Sequence, residues 1–179
     1  MITTRIPPDV LAKEREHGDK IEASHRNRGD QTARFKNRKA PYSEDVMGWY
    51  GQVAFNLLTT LALDRSIRKT DYGIDFVVPV TNETIDLKTN FRMYERFDLL
   101  VKNTDVERGH IPKYYVRAEM PNKDTVIFHG WTGTSNLTKW PRKPSTIPEV
   151  AFNYVKPLGE LLPMEVFAEY IAYHVKQNR

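Results

Sequence analysis

The sequence predicts an α/β protein with a central mixed sheet of four to five strands flanked by helices. Three observations carry this. A helical apolar stripe precedes two short apolar runs at 74–80 and 84–90, the runs are joined by the polar turn Thr81-Asn82-Glu83, and two further β-rich runs at 114–120 and 125–131 flank the turn at 121–124. With 179 residues the chain suits one domain with an ordinary core. It divides into a basic polar N-terminal arm (1–42), a core (43–140), and a Pro-rich segment with a C-terminal helix that packs on the core (141–179).

The arm holds ten Lys/Arg against six Asp/Glu, which accounts for the whole net charge of +4. Arg26, Arg28, Arg34, Lys36, Arg38 and Lys39 crowd around a single acid, Asp30, a pattern that suits a polyanion backbone and equally a solvated arm. Helical pieces are expected at 10–17 and 20–27, interrupted by Gly18 and by Gly29-Asp30. Few apolar residues lie here, so the arm is expected to wrap a partner or the domain.

Ser43 is a good N-cap for a helix that runs to about Leu63, with Glu44 and Asp45 in the first turn. Val46, Tyr50, Val53, Leu57, Leu58 and Leu61 form its core-facing stripe, and Gln52 lies beside it. The region 91–111 is polar and reads as a loop or flap with a short strand at 99–102. Pro141, Pro144, Pro148 and Pro157 predict an irregular surface segment, and Pro163 opens a terminal helix with Val166, Phe167, Tyr170, Ile171 and His174 on one face.

The absence of Cys excludes disulfides, thiolate zinc sites, cysteine-ligated iron-sulfur clusters and a cysteine nucleophile. The five His show no zinc spacing, and no Walker loop or dinucleotide fingerprint occurs, so no nucleotide cofactor is expected. Apolar runs fall far short of the ~20 residues that span a bilayer. With no signal peptide at Met1 to Asp9, the expectation is an intracellular, cytoplasmic protein that engages no membrane.

Asp75 and Asp86 lie 11 residues apart on strands that a hairpin makes neighbours, and Lys88 shares a strand face with Asp86. Two carboxylates suffice to hold a small hard cation such as Mg²⁺ while water and phosphate fill its other positions, and the Leu87 carbonyl can add a ligand. Lys88 can position the attacking water or stabilise charge on the phosphate. The bare tripeptide Asp-x-Lys also occurs as an alternating pair on solvated strands. Its setting between Ile85 and Leu87 in a central strand, with Gly73-Ile74-Asp75 opening the preceding one, favours a functional role.

The order Gly48-x-x-Gly51-Gln52-x-Ala54-Phe55, Gly73-Ile74-Asp75, Ile85-Asp86-Leu87-Lys88 and Phe128-His129-Gly130-Trp131 resembles the PD-(D/E)XK nuclease superfamily, and more narrowly its small phage and mobile-element members. Over residues 43–140 the resemblance implies a restriction-endonuclease-like αβββαβ core, Mg²⁺ (with Mn²⁺ as substitute) and DNA as substrate. Asp75 and Asp86 would be metal ligands and Lys88 the catalytic lysine. Gln52 would occupy the place of the helix acid, where Glu is commonest; an amide can accept a metal or water through its oxygen but carries no charge. The function expected is a Mg²⁺-dependent endonuclease, with a homodimer as the arrangement that would cut both strands. The alternatives are a weakened or inactive DNA-binding protein on the same fold and a partner-binding protein whose arm folds on its target. His129 reads as a packed histidine, Asp71 as a turn residue, and Arg92, Tyr94 and Arg96 as substrate contacts or a solvated loop.

Overall fold

The computed structural model describes residues 1–27, 42–66, 74–91, 98–146 and 150–178. In chain order its elements are β1 (Ile2–Arg5), α1 (Pro8–Asn27), α2 (Glu44–Thr59), β2 (Phe76–Val77), β3 (Thr84–Asn90), β4 (Leu99–Lys102), α3 (Asn103–Glu107), β5 (Tyr114–Glu119), β6 (Thr125–Gly133), β7 (Arg142–Pro144), β8 (Phe152–Lys156) and α4 (Met164–Gln177). Five strands form a mixed sheet in the order β1-β6-β5-β3-β2, and three form a second sheet in the order β4-β8-β7. The chain is therefore a mixed α/β protein. β3 and β5 run parallel with Asp86 beside Tyr115 and Lys88 beside Arg117, while the other neighbours in the main sheet are antiparallel. A parallel pair needs a long connection. Here the chain leaves the sheet after Asn90, builds β4 and α3, and returns at Tyr114.

α2 is the helix on which the main sheet packs. The Ser43 hydroxyl accepts the Val46 N–H at 3.4 Å, as an N-cap should. The helix stops earlier than its apolar stripe suggests. The Thr59 hydroxyl turns back to the Phe55 carbonyl at 2.7 Å, Thr60 adopts a left-handed φ of 62°, and the Asn56 amide donates to the Leu61 carbonyl at 2.6 Å. Leu61 is buried beyond the helix, whereas Leu57 is 41% exposed. Val46, Met47, Trp49, Tyr50, Val53, Ala54 and Phe55 are all buried, since the sheet covers one side of the helix and α1 another. Phe55 packs against Phe76 and Phe128 with ring centroids 5.0 and 5.6 Å away.

Residues 1–27 do not behave as the expected arm. β1 extends the main sheet beside β6, Ile6 is fully buried, and α1 continues through Gly18. An interior glycine costs a helix roughly 1 kcal/mol. Packing against α2 offsets it, because Gly18 lies against Trp49 and Val46. Glu14, at 3% exposure, takes a two-pronged ion pair from Arg65, at 2.6 and 2.7 Å. This fastens α1 to the segment after α2. Of the basic cluster, Arg28, Arg34, Lys36, Arg38 and Lys39 lie outside the described residues, as do Asp71, Gly73, Arg92, Tyr94 and Arg96; Arg26 is placed in the last turn of α1 by its backbone alone.

Other departures have local causes. The strand expected over 74–80 narrows to two residues, because Val80 and Asn82 take left-handed φ values of 71° and 55° in a loop closed by Val78 N–H to the Glu83 carbonyl at 2.8 Å. The segment after Trp140 is not irregular throughout, since β7 and β8 pair with each other and β8 with β4. Pro144 fits because β7 is an edge strand, where a missing N–H goes unnoticed, and Pro141 and Pro157 lie outside the strands, while Pro148 lies outside the described residues. Pro163 caps α4 from outside rather than opening it, and Phe167 and Ile171 bury while Val166 stays 57% exposed. The Glu83 carboxylate accepts hydrogen bonds from the hydroxyls of Tyr114 (3.1 Å) and Tyr170, which ties α4 to the turn between β2 and β3. Among the described residues no helix is long and apolar enough to cross a membrane.

Two tests of the frame follow from these contacts. The hydrogen bond from Arg65, against a smaller opposing effect of burial, holds the Glu14 carboxyl below its ordinary value of 4.5. The native state thus prefers the charged form, so this contribution to stability is complete above pH ~4.5 and is lost as pH falls below it. Arg65→Ala should lower stability by ~1–3 kcal/mol at pH 7 and flatten the acid limb of a urea-midpoint titration; an unchanged limb would mean that the pair does not form. A methyl group on Gly51 would fall 2.0 Å from the Thr89 hydroxyl and 2.8 Å from its Cβ. Gly51→Ala should therefore cost ~1–3 kcal/mol in chemical denaturation, part of it recovered by adding Thr89→Ala.

Candidate functional site

Asp75 stands immediately before β2, its N–H donating to the Ile85 carbonyl at 2.9 Å. β2 pairs only with Thr84 and Ile85, so the next N–H on that edge of β3, from Leu87, has no strand opposite it. The Asp75 side chain takes its place, with Oδ2 accepting the Leu87 N–H at 2.7 Å. Oδ1 accepts Gln52 Nε2, also at 2.7 Å. Gln52 reaches the strand because α2 lies close to β3, the approach that Gly51 permits beneath Thr89. The N–H and C=O of a strand residue point the same way, so the Leu87 carbonyl is turned toward this same edge.

Asp86 and Lys88 project from the other face of β3. Lys88 Nζ lies 2.6 Å from Asp86 Oδ2, with side chains 34% and 6% exposed. The Tyr115 ring lies under the ammonium, its centroid 5.8 Å from Nζ. Burial works against the Lys88 charge, but Asp86 outweighs it and Tyr115 and Asp75 act in the same direction, so the amine is held above the ordinary lysine range. Lys88 is consequently a permanent cation and hydrogen-bond donor at neutral pH, and cannot serve as a base. Burial, and next the Asp86 charge, push the Tyr115 phenol up, with Lys88 opposing them, so it stays neutral.

The donors are all oxygens, as a small hard divalent cation requires. Asp75 Oδ1 accepts the Gln52 amide and Oδ2 the Leu87 N–H, and a carboxylate oxygen has two lone pairs. Among the described residues no three His, Cys, Asp or Glu side chains gather into a metal cage. Asp75 and Asp86, with the Leu87 carbonyl, are thus the groups that could hold such an ion, its remaining positions falling to water and substrate. Gln52 plays a different part from that expected of it. A carboxylate only accepts, so the amide must turn its nitrogen to Asp75, and Gln52 supports that side chain.

Arg117 and Glu119 on the Asp86 face escaped sequence reasoning, and His129, read from sequence as packed, joins them there. Arg117, at 2% exposure, donates from Nη1 to the carbonyls of Lys88 (2.8 Å) and Ala118 (2.6 Å). Burial pulls its pKa down to about 10, against the pull of Glu119 and Asp98. Glu119 Oε2 lies 2.9 Å from His129 Nε2. The available signal was the alternation Tyr115, Arg117, Glu119 against Val116, Ala118, Met120. It could not be placed beside Asp86 and Lys88 because the pairing of β3 with β5 is parallel and bridged by a long connection.

No family model, curated protein or solved structure matches the chain. The fold and site define a mixed α/β protein with a carboxylate pair and a lysine at the edge of its main sheet, and a functional reading has to rest on that site.

Gln52→Glu tests whether Asp75 faces a cation. It sets two carboxylates in hydrogen-bond range, which cannot both be ionised unless a cation lies between or beside them. The thermal midpoint of the variant should fall in chelator and recover with Mg²⁺ by more than wild type gains. Equal midpoints with and without Mg²⁺ would dismiss a cation at this position.

Proposed function

We propose that the protein is a Mg²⁺-dependent nuclease that hydrolyses DNA phosphodiester bonds. The observation that carries this reading is Asp75 bonded to the Leu87 N–H on the open edge of β3, with Asp86 and Lys88 on either side of Leu87 and paired at 2.6 Å. An ion pair buried to this degree adds little net stability, because desolvation of its charges cancels most of their attraction. Folding alone gives no reason to keep it, whereas phosphate hydrolysis does. Bound at Asp75 and Asp86, the cation would supply charge neutralisation and an acidified water. Lys88 orients the water and stabilises charge on the phosphate oxygens, Gln52 and the Leu87 N–H hold Asp75 in position, and Arg117 steadies the strand through the Lys88 carbonyl. The restriction-endonuclease-like core belongs to this proposal, supported by α2 preceding the β2–β3 hairpin and by a parallel strand, β5, beside β3. So does the role of Arg26, Arg28, Arg34, Lys36, Arg38 and Lys39 in holding the DNA backbone, which would make binding fall steeply with salt.

A second reading has its own observation. Asp75 accepts two N–H donors and Asp86 pairs with Lys88, so both carboxylates are held by protein groups without a cation. A DNA-binding protein that no longer cleaves would look the same. Linear, circular, single-stranded and branched DNA incubated with Mg²⁺ or Mn²⁺ separate the two readings. Wild type should cut at least one of them, and Lys88→Ala should be slower by about 10²- to 10³-fold with DNA binding retained. If both proteins bind DNA and both are inert, the binding protein stands and the nuclease falls.

A further inference from the structure

The Asp86 face of the main sheet continues past Lys88 into a second constellation. Across the ladder, Lys88 stands beside Arg117 and Asn90 beside Glu119. Strand spacing of ~4.8 Å and a rise of ~3.3 Å per residue put the Cα of Glu119 about 8 Å from that of Lys88. The pairing of β5 with β6 slips at this point, since Arg117 pairs with Gly130 but Ala118 with Phe128, which leaves His129 as an extra residue. Such a bulge re-aims a side chain. The imidazole is turned to Glu119, with Nε2 2.9 Å from Oε2 and the two side chains only 14% and 4% exposed. Glu119 thereby binds Nε2 and leaves Nδ1 as the atom that can give up a proton.

Hydrolysis of a phosphodiester makes two demands on a site. A nucleophile must be oriented on one side of phosphorus, and on the other an alkoxide must leave, which is slow unless it is protonated as it departs. Asp75, Asp86 and Lys88 meet the first demand. None of them meets the second, because the Asp75 oxygens accept N–H donors and the Lys88 ammonium is paired with Asp86 at 2.6 Å. A carboxylate-oriented imidazole on the same sheet face has the missing chemistry, since imidazole exchanges protons near neutral pH.

We propose that His129, turned onto the Asp86–Lys88 face by the β6 bulge and oriented by Glu119, is the general acid that protonates the leaving oxygen. This rests on the nuclease reading. In the step, an electron pair of the water oxygen forms the new bond to phosphorus, and the pair of the breaking P–O bond moves to the leaving oxygen. That oxygen takes the proton from Nδ1 of the imidazolium, the attacking water loses one proton to solvent, and the imidazole is reprotonated from solvent. The products are one alcohol and one phosphate monoester.

The test compares an ordinary oligonucleotide with one in which sulfur replaces the leaving oxygen of a single linkage, 3′- or 5′-bridging according to which product end carries the phosphate. A thiolate leaves without protonation. His129→Gln keeps an N–H for Glu119 but cannot pass on a proton. It should cut the oxygen linkage ~100-fold or more slowly than wild type. On the sulfur linkage it should approach the wild-type rate, and its affinity for DNA in chelator should be unchanged. Slowing of both linkages to the same degree, or of neither, would overturn the proposal while leaving the nuclease reading in place. Wild type that cuts neither linkage would end both. Should the variant fail to fold, wild type alone decides: a solvent deuterium isotope effect on the oxygen linkage that disappears on sulfur supports the acid, and an equal effect on both refutes it.

Discussion

The carboxylate of Asp75 is the point on which the candidate site depends. It replaces the strand that β2 is too short to provide, accepting the Leu87 N–H, and it receives the Gln52 amide from α2. Hairpin, central strand and helix are thereby joined at a single side chain. An unpaired buried N–H costs ~1–3 kcal/mol, so the early end of β2 would be a defect without this carboxylate. With it, the gap becomes a place where an acid, a backbone carbonyl and an amide are held together at the sheet edge.

The two faces of the main sheet divide the work. On one, Ile85, Leu87, Val116, Ala118, Val126 and Phe128 meet α2 in the larger apolar cluster. On the other, Tyr115 joins the smaller cluster of Leu99, Val101, Leu137, Trp140 and Tyr154, and beyond it stand Asp86, Lys88, Arg117, Glu119 and His129. Charges removed from water are tolerated only when each finds a partner of opposite sign or a strong hydrogen bond. The pairs Lys88–Asp86 and His129–Glu119, with the Arg117 bonds to backbone carbonyls, meet that condition. The apolar face supplies the fold, and the polar face is free to carry chemistry.

The elements most legible in the sequence were those set by local patterning. The Ser43 cap, the β3 strand, the β5–β6 pair and α4 follow from side-chain period and turn residues that act within a few positions. What escaped depends on contacts made far along the chain. β1 is a strand because β6 offers it an edge, and α1 survives Gly18 because α2 lies across it. β7 and β8 exist through each other and β4 in spite of the prolines around them. In the site, Asp75, Asp86 and Lys88 were readable because a tight hairpin brings near neighbours together. Glu119 was not, since a parallel ladder places it beside β3, and the packed His129 could not be matched to it because a bulge in β6 sets the pairing.

Gln52 shows why residue type alone could not decide its role. Read as a stand-in for an acid, it would be expected to offer Oε1 to a cation. Its neighbour forbids that orientation, because a carboxylate oxygen at 2.7 Å must face the donor end of the amide. An acid in the same place would confront Asp75 with a second acceptor and would need a cation or a proton to be stable there. The amide removes that need, and Asp75 is held in orientation by Gln52 and the Leu87 N–H whether or not a cation is bound. Among the described residues of the candidate site, negative charge is carried by Asp75 and Asp86, and Asp86 already has Lys88 as its counter-charge. In the proposed nuclease, affinity for a divalent ion would therefore depend on how far the phosphate of a substrate adds to those two carboxylates, which would make metal and DNA binding cooperative by electrostatics alone.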